Sequence, residues 1–157
     1  MYFSTLARRS TRVCASVVHV RGVSGGARAS LYGQTTDYFK HVEAQLCVLV
    51  QIETREALAD LENIAAVPGI DGIFIGPADL AASFGHLGNT AHPEVQDAVD
   101  DAFRRLKAAG KPSGYLTTNE AETARRVAQG IDFVALDTDA AMIVRAATGL
   151  LQRMRPA

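Results

Sequence analysis

The stretch LCVLVQIETREALADLENIAAVPGIDGIFIGPADL (46–80) decides the fold. Residues 46–52 are short, continuous and rich in β-branched side chains, which predicts a strand buried on both faces. Thr54 stands where a helix N-cap is needed. Ala57, Leu58, Leu61, Ile64 and Ala65 then recur at helical spacing, until Pro68-Gly69 stops the run. Gly72–Ile75 is a second strand. Strand, helix and strand within 30 residues form one β-α-β unit, whose strands lie parallel through a right-handed crossover.

The same rhythm continues outward. A polar, Gly-rich stretch from Ser83 to His92 leads to Pro93, which opens a helix with Val95, Ala98, Val99, Ala102, Phe103 and Leu106 on one face. Gly110 ends that helix. Ser113–Thr117 is a third strand. Asn119 caps a helix that runs to Gln129 and is closed by Gly130. Phe133–Leu136 is a fourth strand. Asp139 is placed to cap a last helix whose apolar face holds Met142, Ile143, Ala146, Ala147, Leu150 and Leu151. The order β-α-β-α-β-α-β-α predicts an α/β fold with a parallel sheet, either a doubly wound open sheet or a piece of a (β/α)8 barrel. No Gly-rich phosphate fingerprint follows any strand, which counts against a nucleotide-binding sheet.

Composition narrows the function classes. The chain has 157 residues, 48% of them hydrophobic, and a net charge of −1. It has the size and apolar content of one ordinary globular domain. The near-neutral balance offers no general case for nucleic acid as a partner, and no apolar run approaches a membrane span. Cys14 and Cys47 lack metal or redox spacing, and Cys47 reads as a buried small hydrophobe. Charge is unevenly placed: residues 37–157 carry all 17 acids and 11 of the 16 basic side chains. The opening MYFSTLARRSTRVCASVVHV (1–20) is Arg-, Ser- and Thr-rich, the composition of an organelle-targeting presequence. The preferred alternative is a poorly structured basic head, left where a longer chain was cut or misread. The barrel piece then covers 21–157, and the cytoplasm is the expected location.

In a parallel barrel, function collects where strands end. Those positions are Gln51 and Glu53; Gly76, Pro77, Ala78 and Asp79; Thr117, Thr118 and Asn119; and Asp137 and Asp139. Glu53 and Asp79 stand one β-α unit apart, on strands whose axes are roughly 5 Å apart. Two anions at such range repel, and a shared divalent cation relieves them. Oxygen ligands suit Mg2+ or Mn2+, and less exclusively Co2+ or Zn2+. The plainer reading, slightly ahead on spacing alone, is that both acids merely cap the next helices. That reading prevails for Asp137 and Asp139. His86 and His92 read as solvated loop histidines. Of the three lysines, Lys40 precedes the first strand, Lys107 sits on a helix and Lys111 lies before its strand, so no imine-forming lysine reaches the mouth.

The segments VLVQIETREAL (48–58), GIDGIFIGPADLAASFGHLGN (69–89) and HPEVQ (92–96) closely resemble the HpcH/HpaI aldolase family. The likeness continues through AGKPSGYLT (109–117) and FVALDTDAAMIVRAA (133–147). The resemblance implies a (β/α)8 barrel, of which this chain holds the last four β-α units. It implies metal ligands at Glu53 and Asp79, and a substrate-facing amide at Gln51. It also places the substrate carboxylate on the backbone of Gly76, Pro77, Ala78 and Asp79. The implied reaction is reversible retro-aldol cleavage of a 4-hydroxy-2-oxo acid to pyruvate and an aldehyde, with a divalent metal (Mg2+, Mn2+ or Co2+) as Lewis acid.

One departure accompanies the match. The histidine and arginine that the family draws from its first half have no counterparts, since His19 and Arg21 lie in a different context; no catalytic residue is therefore assigned. A half-barrel leaves strand edges and apolar surface uncovered, so a homo-oligomer or a poorly soluble chain is expected. Two alternatives stand beside the aldolase: a non-catalytic remnant that binds metal or keto acid or docks on a full-length paralogue, and a citrate-lyase-like acyl-CoA lyase.

Overall fold

The computed structural model describes residues 24–155. Four strands, β1 (Leu49–Ile52), β2 (Gly72–Ile75), β3 (Ser113–Thr117) and β4 (Phe133–Leu136), form one sheet in the order β1-β2-β3-β4. All three pairings are parallel, with Ile52 beside Ile75, Ile75 beside Tyr115 and Tyr115 beside Val134. The parallel pairing is what the alternation of elements predicts, and the sequential strand order fits the partial barrel that the family resemblance implies. Among the described residues ahead of it are three short helical turns, Arg28–Ser30, Tyr38–His41 and Glu43–Gln45. The basic head 1–20 lies outside the described residues.

The helices are α1 (Arg55–Ala59), α2 (Leu61–Ala65), α3 (Pro77–Ser83), α4 (Pro93–Ala108), α5 (Glu120–Ala128) and α6 (Asp139–Met154). Local chemistry explains their ends. The Thr54 hydroxyl accepts the Ala57 amide at 3.1 Å, and the Asn119 side chain accepts the Glu122 amide at 3.0 Å. Gly110 and Gly130 take the left-handed conformation (φ +64° and +77°) just beyond α4 and α5. The single helix expected over 55–65 is divided at Asp60, whose φ of −100° and ψ of 17° leave the helical region. α6 is capped by Thr138, whose hydroxyl accepts the Ala141 amide at 3.2 Å; Asp139, the expected cap, is its first helical residue.

One face of the sheet builds the core. Ile52, Ile73, Ile75 and Tyr115 pack with Leu58, Leu61 and Ile64 from α1–α2 and with Val95, Val99, Ala102, Phe103 and Leu106 from α4. α2 is also tied to α4 by Arg105, whose hydrogen bonds hold the Glu62 carboxyl down to about 2. On the other face run Gln51, Phe74, Gly114 and Phe133 in register. Gly114 has to be glycine here, because an added Cβ would lie 2.6 Å from the Phe74 ring.

Two burial expectations are overturned. The first strand is not buried on both faces: it spans only Leu49–Ile52, with Leu46 56% and Leu49 49% exposed. Cys47 is exposed rather than a buried hydrophobe. The apolar stripe of α6 is also uncovered, with Ile143 68% and Leu151 54% exposed. The physical reason is shared. β1 and β4 are the sheet's two edges, and the second face has no packing layer among the described residues.

Candidate active site at the carboxyl ends of the strands

β1 and β2 end side by side, and the Gly76 amide donates to the Ile52 carbonyl at 3.0 Å. That bond brings Gln51 and Glu53 of one strand against Gly76 of the next. A Cβ added to Gly76 would stand 2.8 Å from Gln51 Nε2 and 2.9 Å from Glu53 Cγ. Only a bare backbone allows both side chains to lie there. Asp79 reaches the same point from the first turn of α3. Burial raises the Glu53 pKa first, and the Asp79 charge and a carboxyl–carboxyl hydrogen bond raise it further. Glu53 is half-buried and Asp79 exposed. The two acids therefore converge as mutually repelling groups, with no ion pair to either among the described residues. Arg55 and His86, the basic side chains nearest to them in sequence, are both bound to Glu94 instead.

The first turn of α3 offers open backbone donors. Pro77 has no amide hydrogen, and the first intrahelical bond runs from Leu80 to Gly76 at 3.0 Å. The amides of Ala78 and Asp79 precede it. A cavity of about 610 Å3 adjoins, lined by Pro77 and Ala78 on one side and by Tyr115, Thr117, Thr118 and Asn119 on the other.

The remaining strand-end residues serve the backbone. Thr117 Oγ1 accepts the Asn119 amide at 3.1 Å, and Asn119 caps α5. Asp137 takes a left-handed φ of 73°, accepts the Thr138 amide at 2.8 Å and pairs with Arg145 of α6. Asp139 accepts the Ala140 amide at 2.7 Å. Lys111 donates to the Ile70 carbonyl at 2.6 Å, at the opposite end of the strands. His86 and His92 are not solvated loop residues: both are half-buried, and their rings stack with centroids 3.5 Å apart. No periodicity announces that contact, because the turns at Gly85 and Gly88 create it.

A profile of the HpcH/HpaI aldolase/citrate lyase family matches residues 9–146. The chain belongs to this family. A pyruvate aldolase of Rhizobium etli is 52% identical over 134 residues, which cover 85% of this chain and 53% of that protein. A 4-hydroxy-2-oxo-heptane-1,7-dioate aldolase of Klebsiella pneumoniae is 46% identical over 149 residues, 94% of this chain and 56% of that one. The crystal structure of an HpcH/HpaI aldolase/citrate lyase family protein from Burkholderia cenocepacia matches with a TM-score of 0.84 at 33% identity, over 96% of this chain and 62% of that chain. This HpcH/HpaI member thus spans about half the length of the curated relatives it matches.

Proposed function

We propose that this chain carries the metal- and keto-acid-binding portion of a metal-dependent pyruvate aldolase, which reversibly cleaves a 4-hydroxy-2-oxo acid to pyruvate and an aldehyde. The observation that carries the reading is the convergence of Glu53 and Asp79 beside Gln51 at the ends of adjacent parallel strands. Relatives named pyruvate aldolase and 4-hydroxy-2-oxo-heptane-1,7-dioate aldolase support it.

The donor set fits a divalent ion. Burial and the neighbouring Asp79 charge both disfavour ionised Glu53, a shared cation relieves that, and all-oxygen donors favour Mg2+ or Mn2+, with Co2+ as a softer alternative. Glu53 and Asp79 would hold it, and when bound it supplies a Lewis acid for the oxygens of the keto acid. Gln51, held against Gly76, presents its amide to the same substrate. The open amides of Ala78 and Asp79 receive the substrate carboxylate, where the first turn of α3 favours an anion. The cavity between Pro77 and Thr118 takes the remainder of the molecule.

The test is deuterium exchange at the methyl group of pyruvate, followed by proton NMR in deuterium oxide with Mn2+. The chain should exchange the methyl protons faster than Mn2+ alone. A rate equal to the metal blank, with Mn2+ still bound, supports the second reading, a non-catalytic chain that binds metal or keto acid. The engagement of Arg55 and His86 by Glu94, away from the carboxylate pair, favours that alternative.

Two further outcomes follow from the geometry. Gly76→Ala should weaken Mn2+ binding by about tenfold or more, because its Cβ displaces Glu53 and Gln51 together; displaced support around metal ligands commonly has effects of this size. An unchanged titration would contradict the placement. Self-association is expected as well, since Leu49, Phe133 and Leu136 at the sheet edges and the stripe of α6 are all exposed. Sedimentation should give at least twice the chain mass, whereas a stable, monodisperse monomer would count against it.

A further inference from the structure

A second group of ligating side chains lies outside the carboxylate pair. One ring nitrogen each from His86 and His92 and a carboxylate oxygen of Glu94 all fall within 4.8 Å of one another. Their settings are firm. The His86 amide donates to the Ala81 carbonyl at 2.8 Å, and its carbonyl accepts the Asn89 amide at 2.9 Å. His92 is the N-cap of α4, with Nδ1 accepting the Glu94 amide at 3.2 Å. Pro93 stiffens the step between them.

Glu94 divides its two oxygens. Oε2 stands 2.8 Å from His86 Nε2, while Oε1 accepts from Arg55 Nη2 at 3.0 Å. Arg55 is itself anchored, donating to the Ser83 and Phe84 carbonyls at 3.2 and 3.3 Å and lying 3.9 Å over the Phe84 ring. It therefore aims Glu94 from behind and leaves Oε2 toward the stacked imidazoles. Such outer-layer support is what orients ligands in metal sites.

We propose that His86, His92 and Glu94 form a second cation site, for a borderline divalent ion of the Zn2+ class, which fastens the loop after α3 to the first turn of α4. Tetrahedral Zn2+ holds nitrogen and oxygen ligands at about 2.0–2.2 Å, so its donors stand roughly 3.3 Å apart. The donor atoms already lie within 4.8 Å of one another, and closing on an ion requires the two stacked rings to turn so that their nitrogens face one point. Two imidazoles and one carboxylate are softer than the two carboxylates at Glu53 and Asp79, so the sites should sort metals, Zn2+ here and Mn2+ there. The inference does not depend on the aldolase reading.

The experiment uses the full chain carrying Glu53→Gln, which disables the first pair, and titrates it with ZnCl2 by calorimetry. One equivalent should bind and raise the thermal midpoint. His86→Phe keeps a stacked ring and His92→Asn keeps a capping acceptor, so each removes a ligand while sparing the fold. Each should weaken binding by about tenfold or more. Absence of saturable Zn2+ binding, or affinity unchanged in both variants, would overturn the site. If either variant unfolds, Co2+ added to the Glu53→Gln chain is decisive. Visible bands of a low-symmetry, histidine-ligated ion are expected, and the spectrum of aqueous Co2+ would contradict the proposal.

Discussion

Replacing Glu53 by Gln should abolish Mn2+-dependent deuterium exchange of pyruvate and leave the metal-free chain at least as stable as the parent. The two halves of this prediction have one cause. Glu53 is half-buried beside Asp79, and both burial and the Asp79 charge work against its ionised form. Glutamine keeps the shape that packs against Gly76 and removes the repulsion. For a partly exposed pair, that relief amounts to about 1 kcal/mol or less. The same change removes a charged oxygen ligand, and exchange should fall to the metal blank. Residues kept for function are often ones the fold would do better without. Urea unfolding of the metal-free proteins measures the first half and NMR the second. A variant that loses activity only because it unfolds would contradict the account.

The second large effect lies away from the mouth. Arg126→Met should destabilise the chain by about 3 kcal/mol, a drop of roughly 6–12 °C in thermal midpoint. Arg126 is fully buried, lying 5.1 Å from the Phe103 ring centre and 4.8 Å from that of Tyr115. It pairs with Asp100, and donates to Glu122 at 2.7 Å, Gln96 at 2.7 Å and Gln129 at 2.9 Å. Removing it takes the buried cation from two carboxylates between α4 and α5, leaving them the half-exposed Arg125 and, for Asp100, the Gln129 amide. Arg125 itself is 39% exposed, and Arg125→Met should change stability by no more than about 1 kcal/mol.

The pH dependence of the Arg126 effect has a definite sign. Burial pushes the Asp100 carboxyl up, but hydrogen bonds from Arg126 and Gln129 outweigh it and hold the group below its ordinary 3.8. A depressed carboxyl adds stability above its unfolded value, and that stability is lost as pH falls through the folded value. The gap between Arg126→Met and the parent should therefore narrow below pH 4. Equal losses in the two arginine variants would contradict the assignment.

What could be read from the sequence was what depends on near neighbours along the chain. The parallel pairing followed from alternation and the sequential strand order from the family resemblance, while the caps at Thr54 and Asn119 and the stops at Gly110 and Gly130 followed from local hydrogen bonding and backbone sterics. The meeting of Glu53 and Asp79 was legible for a related reason: one β-α unit in a parallel sheet fixes which strand ends adjoin. Burial was not legible where it depends on absent neighbours. Leu49 and Cys47 look like interior residues and lie at an open edge, and the apolar stripe of α6 is exposed. The stacking of His86 on His92 escaped because a loop with two left-handed glycines brings the rings together, and such a path leaves no period. Asp60 divides a helix whose hydrophobic spacing runs through it undisturbed.

The most direct measurement of the central claim is a Mn2+ titration followed by the electron paramagnetic resonance of the free ion. The unaltered chain, Glu53→Gln, Asp79→Asn and the double variant would be compared. If the two carboxylates share one ion, the parent binds one equivalent and each single change removes that binding by more than about 100-fold, larger than the loss of a supporting residue. The double change then adds little to either single one, because each has already destroyed the same site. Binding that survives either single substitution, or losses that simply add, would show that Glu53 and Asp79 do not hold a common cation.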